Sequence, residues 1–407
     1  MIDHRPGPRI ILDLTRLLAR VMHSTPTGVD RVEMAYARGL LDAVPDRLSF
    51  AAVHPIGNVY GRLPAAAVRR FLDGTQQRWA TRDIIARLDL RKSAMRALWE
   101  LRPKVRMIGS GEGRAVYLKA SPNNLTDPAL VASILRRERA ALACLVHDLI
   151  PLKYPEYARA NGAALHARRV ETMVTQAAAL LCNSQATLDA LKPYVERAGR
   201  PIATAFAHLG IDPPALRPAD RPADDRPYFV CIGTIEPRKN HLLLLHLWRR
   251  LAERHGTSAI PRLIVIGRRG WENEQIVDML ERCPSLVGCV EEKGGLADRT
   301  VQWLLAGSCG LLMPSFAEGY GMPVTEALAL GVPVICSDLP ALREAGGDVP
   351  DFLDPLDGPA WERAVWAFSR PGSQARAAQD LRRQSWIPSS WADHVAILLE
   401  LLHRIGS

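Results

Sequence analysis

The sequence predicts an α/β protein of two units, each a largely parallel sheet between layers of helix. Three observations carry that prediction. Strand-like apolar runs alternate with helical patterns through both halves of the chain. A stretch rich in proline and charge, residues 213–227, breaks the alternation and suits neither a helix interior nor a strand ladder. The length, 407 residues, supports two or three hydrophobic cores rather than one. The units are expected at residues 1–212 and 228–389, joined by the 213–227 linker and followed by an amphipathic helix at 390–407.

In the first unit the strand candidates are residues 9–14, 48–54, 115–119, 143–147, 179–183 and 202–208, with helices in the gaps. The second unit opens with a strand at 228–233. A helix capped at Asn240 then runs through Leu244, Leu247, Trp248 and Leu251 to a stop at Gly256. A strand at 263–267 follows. Further on, apolar runs at 310–314 and 332–336 bracket one short helix of about two turns: Pro323 fits its first position and Gly331 lies just past its end. Ser390 caps the last, amphipathic helix. Two such Rossmann-like lobes place the default binding site in the cleft between them.

Bulk properties narrow the partners. Apolar residues make up 48% and charged residues 23%, an ordinary globular composition. No apolar run approaches the roughly 20 residues of a spanning helix, and the N-terminus lacks a signal-peptide pattern. A cytoplasmic location is therefore expected. Seven cysteines, several inside apolar strand-like runs, read as buried reduced thiols. Cys283 and Cys289 have no histidine at zinc-finger spacing, so no metal is assigned. The net charge of +9 favours anionic partners, but no RNA-binding signature accompanies it, and nucleic acid is not an expected partner.

The chemistry concentrates in the run from Pro314 to Gly331. Glu318 falls in the loop leaving the carboxyl end of a strand, where open α/β sheets bind ligands. Glu326 lies one turn inside the following helix. Gly319 and Gly321 let the backbone approach a ligand, and N–H groups at the helix start favour anionic or hydroxyl-rich groups. Taken singly, Glu318 reads as a solvated loop acid and Glu326 as a helix acid that complements the dipole. Upstream, the loop Gly233-Thr234-Ile235-Glu236-Pro237-Arg238-Lys239-Asn240 puts a cationic pair ahead of a helix start, suited to a diphosphate or else to solvent. His147 ends an apolar strand, where a packed, hydrogen-bonded histidine is the commoner case. Gly28 opens the first long helix, as a ligand-approaching glycine or as a turn glycine.

Together these residues resemble a known family. Glu318 and Glu326, with Gly-Tyr-Gly-Met-Pro between them and Gly-Val-Pro-Val-Ile-Cys-Ser-Asp after, resemble the E-x7-E signature of retaining glycosyltransferases of family GT4. The resemblance spans roughly the whole chain and is specific mainly over residues 233–354. It implies the GT-B fold, two Rossmann-like domains facing each other across a cleft, with the C-terminal helix packing back on the N-terminal domain. It further implies metal-independent transfer of a hexose, mannose by resemblance, from a nucleoside diphosphate sugar to a glycan or lipid-linked glycan, with retention of configuration, in surface polysaccharide synthesis. No cofactor is implied; the nucleotide sugar is a substrate.

The resemblance also assigns roles. Glu318 would hold donor hydroxyls, Glu326 the ribose hydroxyls, and Arg238 with Lys239 the departing diphosphate, while His147 would face the donor sugar. Gly319, Tyr320, Gly321, Met322, Gly233, Thr234 and Gly28 would line the donor site. The family places an arginine directly after the first glycine of the cationic loop, and Thr234 stands there instead. Asn183-Ser184 and His208-Leu209-Gly210 match the family's order of elements and read in themselves as a helix cap and a strand-end turn. Gly267-Arg268-Arg269-Gly270-Trp271 and Ser337-Asp338 would shape the wall for the base.

One segment stands apart. Residues 82–106 intersperse eight cations among Ile84, Ile85, Leu88, Leu90, Met95, Leu98 and Trp99, which fits a helix lying on a membrane surface and equally a solvated helix face. Three rival functions are weaker. A glycoside hydrolase would need the two acids to flank a sugar. An NAD-dependent enzyme would need a glycine-rich fingerprint, which is missing after Leu12-Asp13-Leu14-Thr15-Arg16. A glycan-binding or scaffold protein of the same fold would need only lost turnover, which Thr234 makes worth testing.

Overall fold

A computed structural model describes residues 7–80, 87–102, 114–212 and 226–406. Most of the expected linker, residues 213–225, and parts of the basic segment at 82–86 and 103–106 lie outside the described residues. The chain divides into two compact units: residues 1–152, 161–210 and 389–407, and residues 153–160 and 211–388. No helix among the described residues is long and apolar enough to cross a membrane.

The first unit holds β1 (Arg9–Asp13), β2 (Leu48–Val53), β3 (Tyr60–Leu63), β4 (Ala115–Lys119), β5 (Ala140–Val146), β6 (Ala177–Cys182) and β7 (Ala203–Phe206). They form one sheet in the order β3-β2-β1-β4-β5-β6-β7. All pairs are parallel except β2 with β3. The second unit holds β8 (Tyr228–Ile232), β9 (Arg262–Ile266), β10 (Val290–Lys293), β11 (Leu311–Met313), β12 (Val334–Ser337) and β13 (Asp351–Leu353). Their order is β10-β9-β8-β11-β12-β13, parallel throughout. Both are doubly wound sheets whose strand order reverses once, between β1 and β4 in one and between β8 and β11 in the other.

Parallel strands covered on both faces need continuous apolar runs, and β8, Tyr-Phe-Val-Cys-Ile, is buried over its first four residues. The helix His241–His255 covers it with Leu244, Leu245, Leu247, Trp248 and Leu251. Trp248 meets Phe229 edge to face and donates its indole N–H to the Pro261 carbonyl, so this large side chain is buried without an orphaned donor. Asn240 departs from the expected cap. Its backbone is left-handed at φ +53°, and its side chain donates to the Pro355 carbonyl rather than accepting from the helix.

The helix Gly28–Ala43 of the first unit starts with a reciprocal cap between Thr27 and Asp30. Asp30 also accepts from Arg16 at 2.6 Å and Arg20 at 2.8 Å, which ties the loop after β1 to the helix start. Beneath it, at the β1/β4 reversal, buried Asp13 pairs with Lys119 and accepts from Tyr117 at 2.8 Å. Burial pushes the neighbouring Glu33 carboxyl up to about 8, with the Asp13 charge adding to the effect.

The C-terminal helix Trp391–Gly406 belongs to the first unit and packs on Gly28–Ala43. Ser390 caps it, as expected, by accepting from the Asp393 N–H at 3.0 Å. Two glycines make the fit: a methyl group at Gly39 would sit 2.7 Å from Val395 Cγ2, and one at Gly210 would sit 2.2 Å from the Trp391 nitrogen. His394 is the polar fastening. Its Nε2 lies 2.8 Å from the Tyr36 hydroxyl and its Nδ1 3.0 Å from the His208 carbonyl oxygen.

Burial holds the His394 imidazole down to about 4, against an ordinary value of 6.5. The ring is therefore neutral in the folded chain and can take a proton on unfolding. Its contribution is complete above about pH 6.5 and is lost as the pH falls towards 4, at up to about 1.4 kcal/mol per pH unit. Denaturant unfolding should show stability falling between pH 6.5 and 4, with a shallower fall in His394→Gln. Equal slopes would contradict this assignment.

Candidate functional site

The sheet of the second unit reverses strand order between β8 and β11, and the carboxyl ends of strands at such a reversal are where open α/β sheets bind ligands. The loop after β8 carries Arg238 and Lys239 in a single 3-10 turn, Pro237–Lys239. The loop after β11 carries Glu318. Arg238 Nη1 donates to Glu318 Oε2 at 2.9 Å, and Lys239 Nζ approaches Oε1 at 2.5 Å. Ser315 donates its hydroxyl to the same Oε1 at 2.6 Å, and Arg238 also reaches the Ala317 carbonyl at 2.9 Å.

The Glu318 side chain is 7% exposed, that of Lys239 10% and that of Arg238 23%. Burial by itself would raise the Glu318 carboxyl, but Lys239 and Arg238 outweigh it and bring it down to about 2, so the acid stays charged. Glu236 holds the far side of Arg238, 2.5 Å from Nε. Its other oxygen is buried and finds no hydrogen-bond partner among the described residues, and burial raises this carboxyl against the pull of Arg238. His241, the first residue of the next helix, is buried with both ring nitrogens unpartnered among the described residues. Burial, with Lys239 adding to it, lowers its pKa to about 4, so it brings no charge of its own.

Glycines make room for this cluster. A methyl group at Gly233 would lie 3.2 Å from Lys239 Cε, so the lysine stem runs against bare backbone. At Gly267 a methyl group would fall 1.8 Å from the Gly233 carbonyl oxygen, and at Gly270 2.6 Å from the Thr234 methyl. Thr234, where the resemblance calls for arginine, thus faces a backbone surface of the loop after β9. Gly267→Ala should push the two loops apart and destabilise the chain by about 1–3 kcal/mol, the usual range for overpacking. Thermal denaturation checks this, and an unchanged midpoint would show that the loops do not depend on their close contact.

Gly321 takes φ +107° just before the helix Met322–Ala329, and Gly331 takes φ +70° just after it. Both conformations favour glycine. The helix begins one residue earlier than expected, at Met322, with Pro323 second. Gly319, Tyr320 and Met322 line its approach, with Tyr320 buried. Glu326 is half-buried inside this helix, eight residues beyond Glu318 in the sequence.

His147 and Gly28 belong to the first unit. His147 Nε2 lies 2.7 Å from the Ala120 carbonyl oxygen, its own carbonyl accepts from Asn183 at 2.8 Å, and burial lowers its pKa. Gly28 is the first residue of its helix, and a methyl group there would meet nothing within 4 Å, so packing does not demand the glycine. Ser184 is a helix cap, bonded to the Thr187 N–H at 3.0 Å. In the expected base wall, Arg269 is tied to Glu292 and Glu281, Asp338 is paired with Arg343, and the Trp271 indole donates to the Tyr157 carbonyl at 3.0 Å.

Residues 226–365 match the family model described as Glycosyl transferases group 1. The O-antigen chain mannosyltransferase B of Escherichia coli is 38% identical over 159 residues, 39% of this chain and 38% of that protein. The serotype-specific mannosyltransferase WbdA of Escherichia coli is 28% identical over 309 residues, 69% of this chain and 36% of that protein. The chain thus aligns with less than half the length of either relative. Among solved structures, the α,α-trehalose 6-phosphate synthase of Burkholderia multivorans superposes with a TM-score of 0.60 at 12% identity, covering 98% of this chain and 99% of that one. Anabaena HepE in complex with UDP and glucose gives 0.60 at 14% identity, covering 97% and 99%. The chain has the GT-B fold, and its residues 226–365 match the glycosyl transferases group 1 family.

Proposed function

We propose that the chain is a retaining, metal-independent hexosyltransferase. It moves mannose from a nucleoside diphosphate sugar to a hydroxyl of a glycan or lipid-linked glycan, in the cytoplasm, as a step of surface polysaccharide synthesis. The observation that supports this most is the buried grouping of Arg238, Lys239 and Glu318 at the strand-order reversal of a glycosyl transferases group 1 domain. The donor class is supported by relatives described as mannosyltransferases and by a fold neighbour crystallised with UDP-glucose.

In this reading Glu326 holds the ribose hydroxyls and Glu318 the hydroxyls of the transferred sugar. The acceptor oxygen bonds to the anomeric carbon on the face from which the diphosphate departs, and the acceptor proton passes to a departing phosphate oxygen. The charge developing on the diphosphate meets Arg238, Lys239 and the N–H groups at the start of His241–His255. These fixed positive groups supply what a divalent cation supplies in other transferases. Binding exchanges partners, since the diphosphate competes with Glu318 for the same two cations.

Thermal denaturation against a panel of nucleotide sugars tests the reading, because a donor at a hundred times its Kd adds about 2.7 kcal/mol to stability. GDP-mannose is expected to give the largest shift, with transfer continuing in EDTA. No shift from any nucleotide sugar would refute the donor class, and turnover abolished by EDTA would refute metal independence. Thr234 favours one second reading, a glycan-binding protein of this fold with impaired catalysis. Stabilisation by a donor that is never turned over on any acceptor would select it.

A further inference from the structure

We propose that the first unit docks on an anionic lipid bilayer through a surface built from the helix Arg87–Glu100 and the loop at residues 54–59. The helix buries Ala94, Leu98 and Leu101 against its own unit. The stripe flanking this buried edge is exposed and holds Arg91, Lys92, Met95, Trp99 and, just past the helix end, Arg102. Trp99 is 64% exposed and Met95 56%, while on the neighbouring loop Ile56 is 58% exposed and Val59 48%.

His54 joins the two pieces. Its Nε2 lies 3.0 Å from the Leu98 carbonyl oxygen, and its Nδ1 accepts the Ile56 N–H at 3.2 Å, so the loop is fastened beside the carboxyl end of the helix. The left-handed backbone of Gly57 and Asn58 makes the tight turn that exposes Ile56 and Val59.

The charge around these apolar tips identifies the occupant. Residues 91–102 carry four cations, Arg91, Lys92, Arg96 and Arg102, against one acid, Glu100, which pairs with Arg96 and with Arg70 from the adjacent helix. The Arg102 guanidinium lies 3.5 Å from the Trp99 ring centroid. A cation stacked on an exposed indole, next to further cations and isolated aliphatic tips, matches the boundary between headgroups and acyl chains, where aromatic rings sit at headgroup level and basic side chains meet anionic lipid. A protein partner covering this face would need carboxylates opposite Arg91 and Lys92; a bilayer supplies diffuse negative charge over an apolar interior. Docking here would hold the chain beside an acceptor carried on lipid.

Co-sedimentation of the full chain with phosphatidylglycerol/phosphatidylcholine vesicles at low salt tests this without any sugar donor, so its outcome is separate from the transfer reading. Anionic vesicles are expected to bind the chain and pure phosphatidylcholine vesicles to leave it in solution. Each cation near an anionic bilayer contributes about a fivefold factor, so the double variant Arg91→Glu with Lys92→Glu should bind at least about 25-fold more weakly. It should keep the wild-type thermal denaturation midpoint, which excludes unfolding as the cause. Brominated lipid should quench tryptophan fluorescence in the wild type and less in Trp99→Phe. Equal binding to neutral vesicles, unweakened binding of the charge-reversed variant, unchanged quenching in Trp99→Phe, or self-association without vesicle binding would each overturn the proposal.

Discussion

Lys239→Ala is expected to lower the rate of sugar transfer by about 10²–10³-fold, the usual consequence of removing one preorganised charge that meets a developing anion. Lys239 Nζ sits in a slot made by the bare backbone of Gly233, 2.5 Å from Glu318 Oε1, and its position is fixed before any diphosphate arrives. No reorganisation is then needed when the bond to the leaving group breaks. Arg238 cannot replace it, because its guanidinium stays held by Glu236 and the Ala317 carbonyl and already serves the diphosphate from its own position. Lys239→Met, which keeps the stem but not the charge, should lose as much. If the methionine variant turned over at a near-normal rate, the lysine would be filling space rather than meeting charge.

Glu318→Gln is expected to do two opposite things. Transfer should fall by a factor on the order of 10²–10³, since the amide no longer offers a charged acceptor to the sugar hydroxyls. Affinity for the nucleoside diphosphate alone should rise by about tenfold, a change of about 1.4 kcal/mol. The reason is competition: the carboxylate neutralises the same two cations that the diphosphate needs, and its low pKa keeps it charged throughout the working pH range. Glutamine retains the size and an acceptor for Ser315 but withdraws the competing charge. Removing one member of a buried ion group also leaves Lys239 without its carboxylate and Arg238 with Glu236 alone. The variant should therefore melt lower than the wild type and regain stability when nucleoside diphosphate is added. Calorimetric titration with the diphosphate reads the sign directly, and weaker binding in the variant would refute the competition.

Much of this could be read in the sequence because parallel strands buried on both faces must be continuously apolar. Tyr-Phe-Val-Cys-Ile of β8 and Leu-Leu-Met of β11 have no other use, and the helix between β11 and β12 is bounded by residues suited to its start and end. The strands that escaped notice lie at or next to sheet edges. β10 is Val-Glu-Glu-Lys, an edge strand whose charges pair with Arg262, Arg269 and one another; charged edges guard against pairing with other chains, and they hide the strand from an apolar pattern. β3 is a four-residue antiparallel edge and β13 only three residues long.

The cationic loop and Glu318 were legible as members of one site, but their mutual pairing was not. That contact joins residues about 80 positions apart and depends on β8 and β11 being neighbours, which only the sheet order fixes. Ser315 and Glu236 were missed for a different reason: their contacts are local, to Glu318 three residues on and to Arg238 two residues on, but each reads in the sequence as an ordinary loop residue until the loop conformation folds it back on its neighbour. Asn240 was legible as a helix boundary but not as a left-handed residue whose amide binds Pro355, a partner 115 positions away.

The most direct measurement is a crystal structure with a nucleoside diphosphate bound. The account predicts Lys239 Nζ and the Arg238 guanidinium against diphosphate oxygens, with Glu318 released from at least one of them and facing the sugar position. A nucleotide bound elsewhere, with both cations still paired to Glu318, would contradict it.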